Sequence, residues 1–496
     1  MRPIALIPVL LLVVSGCSSN TQSGAAGGGG GAAGASGDAA IDASEDGAED
    51  TASDTSIDAP ADTEQDGSHD ASQDVVPDAS EPPSSFTPLG REPEDCPLSA
   101  LLCSGWPSAS DGQVWKYSSR QQWNGKTFDR TYHVHLPSSL SGPAPLVVVL
   151  HGGTSSGTQM LAVSKWDDLG DPRGAAGIRW RKNTDACKAE PTEELQPSYV
   201  SAGGASCNPP LSTYANSLAF VSVFPDGLLD SGETDELGPR HWEDGRVPSP
   251  GFDTDEEQRD DVGFIDHVIA QLLADPDVDI DPSAVFVTGG SNGGMMTHRL
   301  ACNFGDDRFP ALGRVAAFQA TVAEMPEGLF EGLHGREACP SQAGGRFALQ
   351  LVLGTDIDTP DCTSYPCNSP KVAGDGLMPF GESGGRHAVY SPDLGRVLAG
   401  PDTIAFWGTA IPAAMGESGS TMTDAIGFFT QRTTTTFAGS VARYESWVTT
   451  GGGHMMGASR MDFAPVGGGW AFLSSFRRDG TGTLTHVEPS WLSGSY

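Results

Sequence analysis

Pro145-Leu146-Val147-Val148-Val149-Leu150 is the stretch that most restricts how this chain can fold. A continuous apolar run with β-branched residues at its centre and no polar alternation describes a strand buried on both faces. Such a strand needs a covering layer on each side of its sheet, and helices joining parallel strands supply it. Further strand-like runs lie at residues 220–225, 285–288, 346–353 and 442–449. Residues 130–137 alternate polar and apolar, as a half-exposed strand near a sheet edge would. Helical patterns fall at 262–273, 294–302, 402–408 and 470–476. Strands alternating with helices predict an α/β fold with a mostly parallel central sheet covered on both faces.

The chain before this region is of a different kind. Met1-Arg2, an apolar run over 4–14 and Ser15-Gly16-Cys17 form an export signal, too short to span a membrane as a helix. Val14-Ser15-Gly16-Cys17 also resembles a bacterial lipobox, which implies cleavage before Cys17 and lipidation of its thiol. The alternative is an ordinary signal peptide with an incidental cysteine. Two or more acyl chains would give a stable membrane anchor. By the same resemblance, Ser18, standing where Asp would suggest inner-membrane retention, favours an outer-membrane lipoprotein; simple release makes the protein extracellular. Residues 18–90 are Gly, Ala, Asp, Ser, Thr and Pro with few large apolar groups, and are expected to be a disordered acidic tether. Residues 91–496 then form the folded domain.

The net charge of −36 makes nucleic acid an unsuitable partner. Residues 38–81 hold 15 acidic residues and no Lys or Arg, so −36 + 15 = −21 remains on the rest. Beyond Cys17 there are eight cysteines, an even number in an exported chain, which points to disulfides. Proximity in sequence suggests Cys96–Cys103, Cys187–Cys207, Cys302–Cys339 and Cys362–Cys367. No C-x-x-C pattern or His–Cys cluster calls for a metal.

In open α/β sheets ligands bind beyond the carboxyl ends of the strands, so the residues after each strand carry the functional information. His151-Gly152-Gly153-Thr154 follows the first buried run, and Pro225-Asp226-Gly227 the next. Gly289-Gly290-Ser291-Asn292-Gly293-Gly294 follows 285–288, Gly354-Thr355-Asp356-Ile357-Asp358 follows 346–353, and Gly451-Gly452-Gly453-His454 follows 442–449. The G-x-S-x-G pattern occurs three times, at Ser155, Ser291 and Ser383, so the motif alone does not choose among them. Ser291 directly follows a strand, as a nucleophile elbow requires. Ser155 overlaps the His-Gly-Gly turn, and Ser383 has no strand before it. His454 is the candidate base for Ser291, and Asp356 or Asp358, with Asp361 close behind, the acid that orients it. The N–H of Asn292 and one from Gly153 or Thr154 are candidate oxyanion donors. His151 is read as holding the turn. This chemistry needs no cofactor. Insertions at 170–212 and 230–260 have the length and composition of lids, and Trp242 within the second is either a substrate contact or lid packing.

Taken together, residues 145–153, 224–227, 260–264, 289–294, 354–356, 379–381 and 451–454 resemble the secreted polyhydroxybutyrate depolymerase-like esterases, a group that includes feruloyl and acetylxylan esterases. The resemblance covers roughly residues 130–476. It implies an α/β-hydrolase fold, a triad on Ser291, His454 and an Asp after Gly354-Thr355, and a disulfide between Cys302 and Cys339. The chain departs from the family where Leu353 replaces a His, where residues 360–377 are inserted, and where Met455-Met456-Gly457 replaces Thr-Trp-Pro. The reading is a serine hydrolase of carboxylic esters, with a polymeric or small ester as its partner. A peptidase on the same fold, or a surface-binding lipoprotein whose site has decayed, are the alternatives.

Overall fold

A computed structural model describes residues 84–98, 110–164, 219–230, 238–247, 259–331, 347–355, 395–410, 419–425, 430–437, 443–450 and 465–487, with short pieces at 103, 106–108, 166, 338–339, 380–381, 383 and 386–388. The expectations for Cys17, residues 18–83, the insertion 170–212, Cys187, Cys207, Cys362, Cys367, Asp356, Asp358, Asp361 and His454 fall outside these residues.

The described strands are, in chain order, β1 (Ser85–Pro93), β2 (Gly112–Trp123), β3 (Lys126–Pro137), β4 (Ala144–Leu150), β5 (Val221–Pro225), β6 (Leu228–Leu229), β7 (Arg240–His241), β8 (Ile280–Gly290), β9 (Val315–Thr321) and β10 (Ala348–Thr355). They continue with β11 (Arg386–Ala388), β12 (Arg396–Leu398), β13 (Gly419–Ala425), β14 (Thr430–Phe437), β15 (Arg443–Thr450), β16 (Phe476–Arg478) and β17 (Leu484–His486). Eleven of them form one sheet in the order β1-β2-β3-β5-β4-β8-β9-β10-β15-β14-β13. The central six, from β5 to β15, are mutually parallel. Antiparallel strands extend both edges. This is an α/β-hydrolase sheet.

The buried run over 145–150 becomes β4, and its alternate side chains enter two different cores. Leu146, Val148 and Leu150 pack with Phe264, Ile265 and Val268 of the helix Asp261–Ala274 and with Leu300 of the helix Asn292–Cys302. Val147 and Val149 point the other way, toward Leu161 of the helix Gly157–Val163 and Trp470 and Phe472 of the helix Pro465–Leu473. Every residue from Leu146 to Leu150 is fully buried. The two-sided burial explains the missing polar alternation. Burying a Val or Leu side chain stabilises the fold by about 1.5–3 kcal/mol, so a polar substitution here would be costly.

A polar ladder crosses the interior of the same sheet. Thr288 donates to Gln319 (2.7 Å), Gln319 to Gln350 (3.0 Å) and Gln350 to Glu445 (3.3 Å), each pair in direct register on adjacent strands. The Trp447 indole donates to the same Glu445 carboxylate at 3.0 Å. Buried amides left unpaired would cost about 1–3 kcal/mol each. A one-residue slip of β9 would unpair several at once, so the ladder helps fix register.

Several expectations need correction. Residues 130–137 lie within β3, third from the sheet edge among the described strands, with His133 and His135 buried. Their alternation reflects polar groups paired inside the fold rather than exposure. The tether expected to residue 90 ends earlier, because Ser85–Pro93 pairs with β2. Phe86 stacks on His267 with ring centroids 4.5 Å apart, Ser84 Oγ donates to Asp260, and Arg91 pairs with Asp275. The insertion 230–260 is not a lid throughout, since residues 241–246 are all buried. The helix expected at 470–476 lies earlier, at Pro465–Leu473, and Phe476 begins β16. Two disulfides are present as expected, Cys96–Cys103 and Cys302–Cys339.

Candidate active site

The chain leaves β4 toward β5 on one side and leaves β8 toward β9 on the other. Crossovers that diverge in this way open a crevice at the carboxyl ends of the two strands between them, here β4 and β8. His151, Gly152 and Gly153 follow β4, and Ser291 follows β8. They meet in that crevice: a Cβ placed on Gly152 would lie 3.7 Å from Ser291 Cβ.

Ser291 has φ 56° and ψ −124°. Non-glycine residues at positive φ are uncommon, and such strain persists only where surrounding bonds over-determine it, at about 1–3 kcal/mol. The bonds are evident. The Ser291 N–H donates to the Thr321 carbonyl at the end of β9, and the Ser291 carbonyl accepts from Met295 N, both at 2.9 Å. Although Ser291 occupies the N-cap of the helix Asn292–Cys302, its side chain makes no capping bond. A hydroxyl that normally satisfies the helix end makes no such bond here. The two glycines of the motif are required by contact: a Cβ at Gly289 would come within 2.3 Å of the Gly293 carbonyl oxygen, and one at Gly293 within 2.4 Å of the Leu150 carbonyl oxygen.

The other two serines of the same pattern are not elbows. Among the described residues the non-glycine positions at positive φ are Asn124, Thr154, Ser291 and Val322, so neither Ser155 nor Ser383 shares the backbone. Ser155 Oγ donates to Gln159, and Ser383 Oγ to Asp402. Val322 directly follows β9, whose last residue, Thr321, receives the Ser291 N–H. A β-branched residue at φ 45° there places a second strained backbone position beside the elbow.

The turn after β4 is held by its own histidine. His151 Nδ1 donates to the Gly152 carbonyl (2.8 Å), and Nε2 accepts from Gly227 N (2.8 Å), which defines the neutral tautomer. Full burial pushes its pKa down to about 4, so it stays uncharged. Thr154, a candidate oxyanion donor, gives its N–H to the Arg240 carbonyl at 2.9 Å. Of the two upstream candidates this leaves Gly153, where an added Cβ would lie 3.6 Å from Asn292 Cβ.

Trp242 is not a surface contact for substrate. It is fully buried, its indole N–H donates to the His151 carbonyl (3.0 Å), and its ring lies against His151 with centroids 4.8 Å apart. The physical reason is its slot: Arg240–Trp242 threads between the His151–Thr154 turn and the Gly227–Leu229 segment, pairing through β6 and β7. Behind it lies a buried ionic layer. Arg130 pairs with Asp261 at 2.8 Å with both side chains fully buried, and Asp261 also accepts from Glu243 N. Burial opposes the charge on both partners, drawing Arg130 down and Asp261 up, and their mutual attraction offsets part of this.

Asp226, in the loop after β5, accepts from Gly157 N (2.7 Å) and Thr131 Oγ1 (2.6 Å) and faces His133 Nε2 at 3.2 Å. Its carboxylate thereby starts the helix Gly157–Val163 and anchors the Gly227 N–H that holds His151. Near the far end of the elbow helix, His298 accepts from the Trp407 indole through Nδ1 (2.9 Å) and donates through Nε2 to the Ala323 carbonyl (3.1 Å). Burial pushes its pKa down to about 4, which makes it a neutral packing group. Reading the sequence for post-strand residues missed His133, Asp244 and the side chain of Asn292. Asp244 lies in the cluster Arg240-His241-Trp242-Glu243-Asp244, whose composition fits a lid and a buried polar layer equally well.

No family model matches the chain. A poly(3-hydroxybutyrate) depolymerase of Ralstonia pickettii is 24% identical over 354 residues, which are 66% of this chain and 61% of that protein. The chain therefore matches less than two thirds of that relative's length. Among solved structures, an acetyl xylan esterase from Aspergillus awamori aligns at 14% identity over 66% of this chain and 89% of its own, with a TM-score of 0.34. Acetyl Xylan Esterase 1 from a Thermoanaerobacterium species aligns at 12% over 54% and 74%, with a TM-score of 0.25. The sequence is similar to that depolymerase, and the fold assignment rests on strand order and the elbow.

Proposed function

We propose that this protein is a serine hydrolase of carboxylic esters, exported and anchored through Cys17, that acts through an acyl-enzyme on a polyhydroxyalkanoate, a feruloyl or acetyl ester, or a small ester. The observation that carries the reading is Ser291: a serine at positive φ, at the sheet's switch point, whose hydroxyl does not cap its own helix. His454 takes the Ser291 proton as Oγ attacks the ester carbonyl, and Asp356 or Asp358 holds the imidazolium. The N–H groups of Asn292 and Gly153 receive the oxyanion. Collapse expels the alcohol, which takes the proton from His454. Water, deprotonated by the same histidine, then releases the acid and restores Ser291.

The test is hydrolysis of p-nitrophenyl, feruloyl, acetyl and hydroxybutyrate esters by the purified domain. Ser291→Ala should abolish turnover while Ser155→Ala retains it, and comparing Asp356→Asn with Asp358→Asn should identify the acid. Full activity in Ser291→Ala would refute the assignment. A folded wild-type domain inactive on every ester would favour a binding protein instead, and cleavage of peptides in preference to esters a peptidase.

A further inference from the structure

Asn292 offers more than its backbone. Its side chain is buried and grips the chain at Trp242 on both sides of one residue: Trp242 N donates to Oδ1 (2.8 Å), and Nδ2 donates back to the Trp242 carbonyl (3.2 Å). Nδ2 also donates to Asp244 Oδ2 at 2.6 Å, and that carboxylate is itself held by Arg246 Nε (2.8 Å) and Arg246 N (2.9 Å). Asp244 and Trp242 are both fully buried. From Trp242 the connection continues through the indole N–H to the His151 carbonyl, and from His151 Nδ1 to the Gly152 carbonyl. A continuous chain of buried hydrogen bonds thus joins the residue after Ser291 to the turn that carries Gly153.

We infer that Asn292, Asp244 and Trp242 are positioning residues that set the spacing and direction of the two backbone donors of the oxyanion hole. The inference rests on Ser291 being the nucleophile. The Asn292 N–H sits in a peptide directly attached to a strained serine, where a modest rotation would aim it away from the crevice. An amide gripping Trp242 in both directions removes that freedom from one donor. The indole bond to the His151 carbonyl ties the second donor to the same frame. Trp242 is therefore the bridge and Asp244 the buttress, and neither needs to touch substrate. Misplacing reacting groups by about 1 Å can cost a factor of roughly 100 in rate, and loss of one oxyanion donor roughly 100–1,000-fold.

The experiment uses two variants and a rescue. Trp242→Phe removes the indole N–H together with the fused five-membered ring, and keeps a six-membered ring in the buried slot. Asn292→Asp keeps the shape but sets a carboxylate against Asp244, and Asn292→Asp with Asp244→Asn restores one amide–carboxylate contact. For folded variants, matched to wild type by circular dichroism and thermal midpoint, the expected result is a kcat lower by roughly 10–100-fold with KM within about 2-fold. Inhibition by a trifluoromethyl ketone, which presents an oxyanion, should weaken by the same factor. The double substitution should recover part of the loss in both measurements. Unchanged kcat and inhibition in Trp242→Phe would overturn the inference, as would a kcat loss with undiminished inhibitor affinity. Ser291→Ala run alongside separates the two levels. If it is inactive while the positioning variants behave as wild type, only this inference fails; if it stays active, the assignment of the nucleophile fails.

Discussion

Replacing His133 with Gln would remove a positive charge from between the buried Asp226 and the half-buried Glu94, and its cost should depend on pH in a defined way. His133 Nδ1 lies 2.5 Å from Glu94 Oε2, and Nε2 lies 3.2 Å from Asp226 Oδ2 and 3.1 Å from Thr158 Oγ1. Burial opposes the charged imidazole, but the hydrogen bonds and charges of Asp226 and Glu94 outweigh it and push the pKa up to about 9 from the usual 6.5. For Asp226, burial opposes the carboxylate, yet the bond to His133 and the nearby Arg240 hold it well below the usual carboxylate range. A raised histidine contributes stability that is fully present below its unfolded value and is lost as pH rises through the native one. A lowered carboxylate contributes above its unfolded value and loses that contribution as pH falls through its native one. The clasp is therefore complete between about pH 4 and pH 6.5, and its histidine share fades toward pH 9 and beyond.

A rise from 6.5 to about 9 is worth about 3 kcal/mol at pH 5.5, slightly less at pH 7 and nearly zero at pH 10. Urea denaturation of wild type and His133→Gln, with disulfides intact, at pH 5.5, 7, 8.5 and 10 measures this directly. The stability gap should be largest at pH 5.5 and shrink to less than about 1 kcal/mol at pH 10, where wild type also holds an uncharged side chain between the carboxylates. A gap that stays constant across the series, or widens with pH, would refute the reasoning, because the cost would then come from packing rather than charge.

Two further outcomes follow from contacts already described. Gly289→Ala should destabilise the domain by about 1–3 kcal/mol or more and abolish the proposed esterase activity, because its Cβ would lie 2.3 Å from the Gly293 carbonyl oxygen. Gly290→Ala should leave the thermal midpoint nearly unchanged, since the nearest contact there is 3.9 Å; equal losses in both would contradict the steric account. Removing the disulfides should cost unequally: Cys302–Cys339 spans 37 residues and Cys96–Cys103 spans 7. The loop entropies correspond to about 4 and about 2 kcal/mol, measurable as denaturation midpoints of the paired Cys→Ser variants.

What could be read from the residues, and what could not, divides along a physical line. Strands such as β4 and β5 were legible because burial on both faces leaves a run with no polar alternation to confuse the reading. β9 was not: Val-Ala-Ala-Phe-Gln-Ala-Thr is poor in β-branched residues, and its buried Gln319 looks polar until Thr288 and Gln350 are found on either side of it. β3 was read as a half-exposed strand because alternation cannot distinguish a polar side chain facing water from one facing a buried partner. His133 is the second kind. In both strands the missing information is the neighbour, which lies one strand away in space and tens of residues away in the chain.

The candidate site divides in the same way. Post-strand position was enough to prefer Ser291 over Ser155 and Ser383, since an elbow is a local arrangement of strand, turn and helix. What the pattern could not supply is why Gly289 and Gly293 are obligatory while Gly290 has room. Gly289 opposes the Gly293 carbonyl across the turn, and Gly293 opposes the Leu150 carbonyl of a different strand. Trp242 poses the harder case, since a Trp in a long polar insertion fits a lid and a buried wedge equally well by composition. The deciding fact is hydrogen-bond accounting. Arg240, His241, Trp242, Glu243 and Asp244 bring many polar groups into one short segment, and a buried segment of that kind is stable only where donors and acceptors are supplied from several sides. Asn292, His151, Asp261 and Arg246 supply them. The segment beside the elbow is thus constrained by the same groups proposed to aim the oxyanion donors, and a substitution that leaves its hydrophobicity intact but removes one hydrogen bond should impair the site before it unfolds the domain.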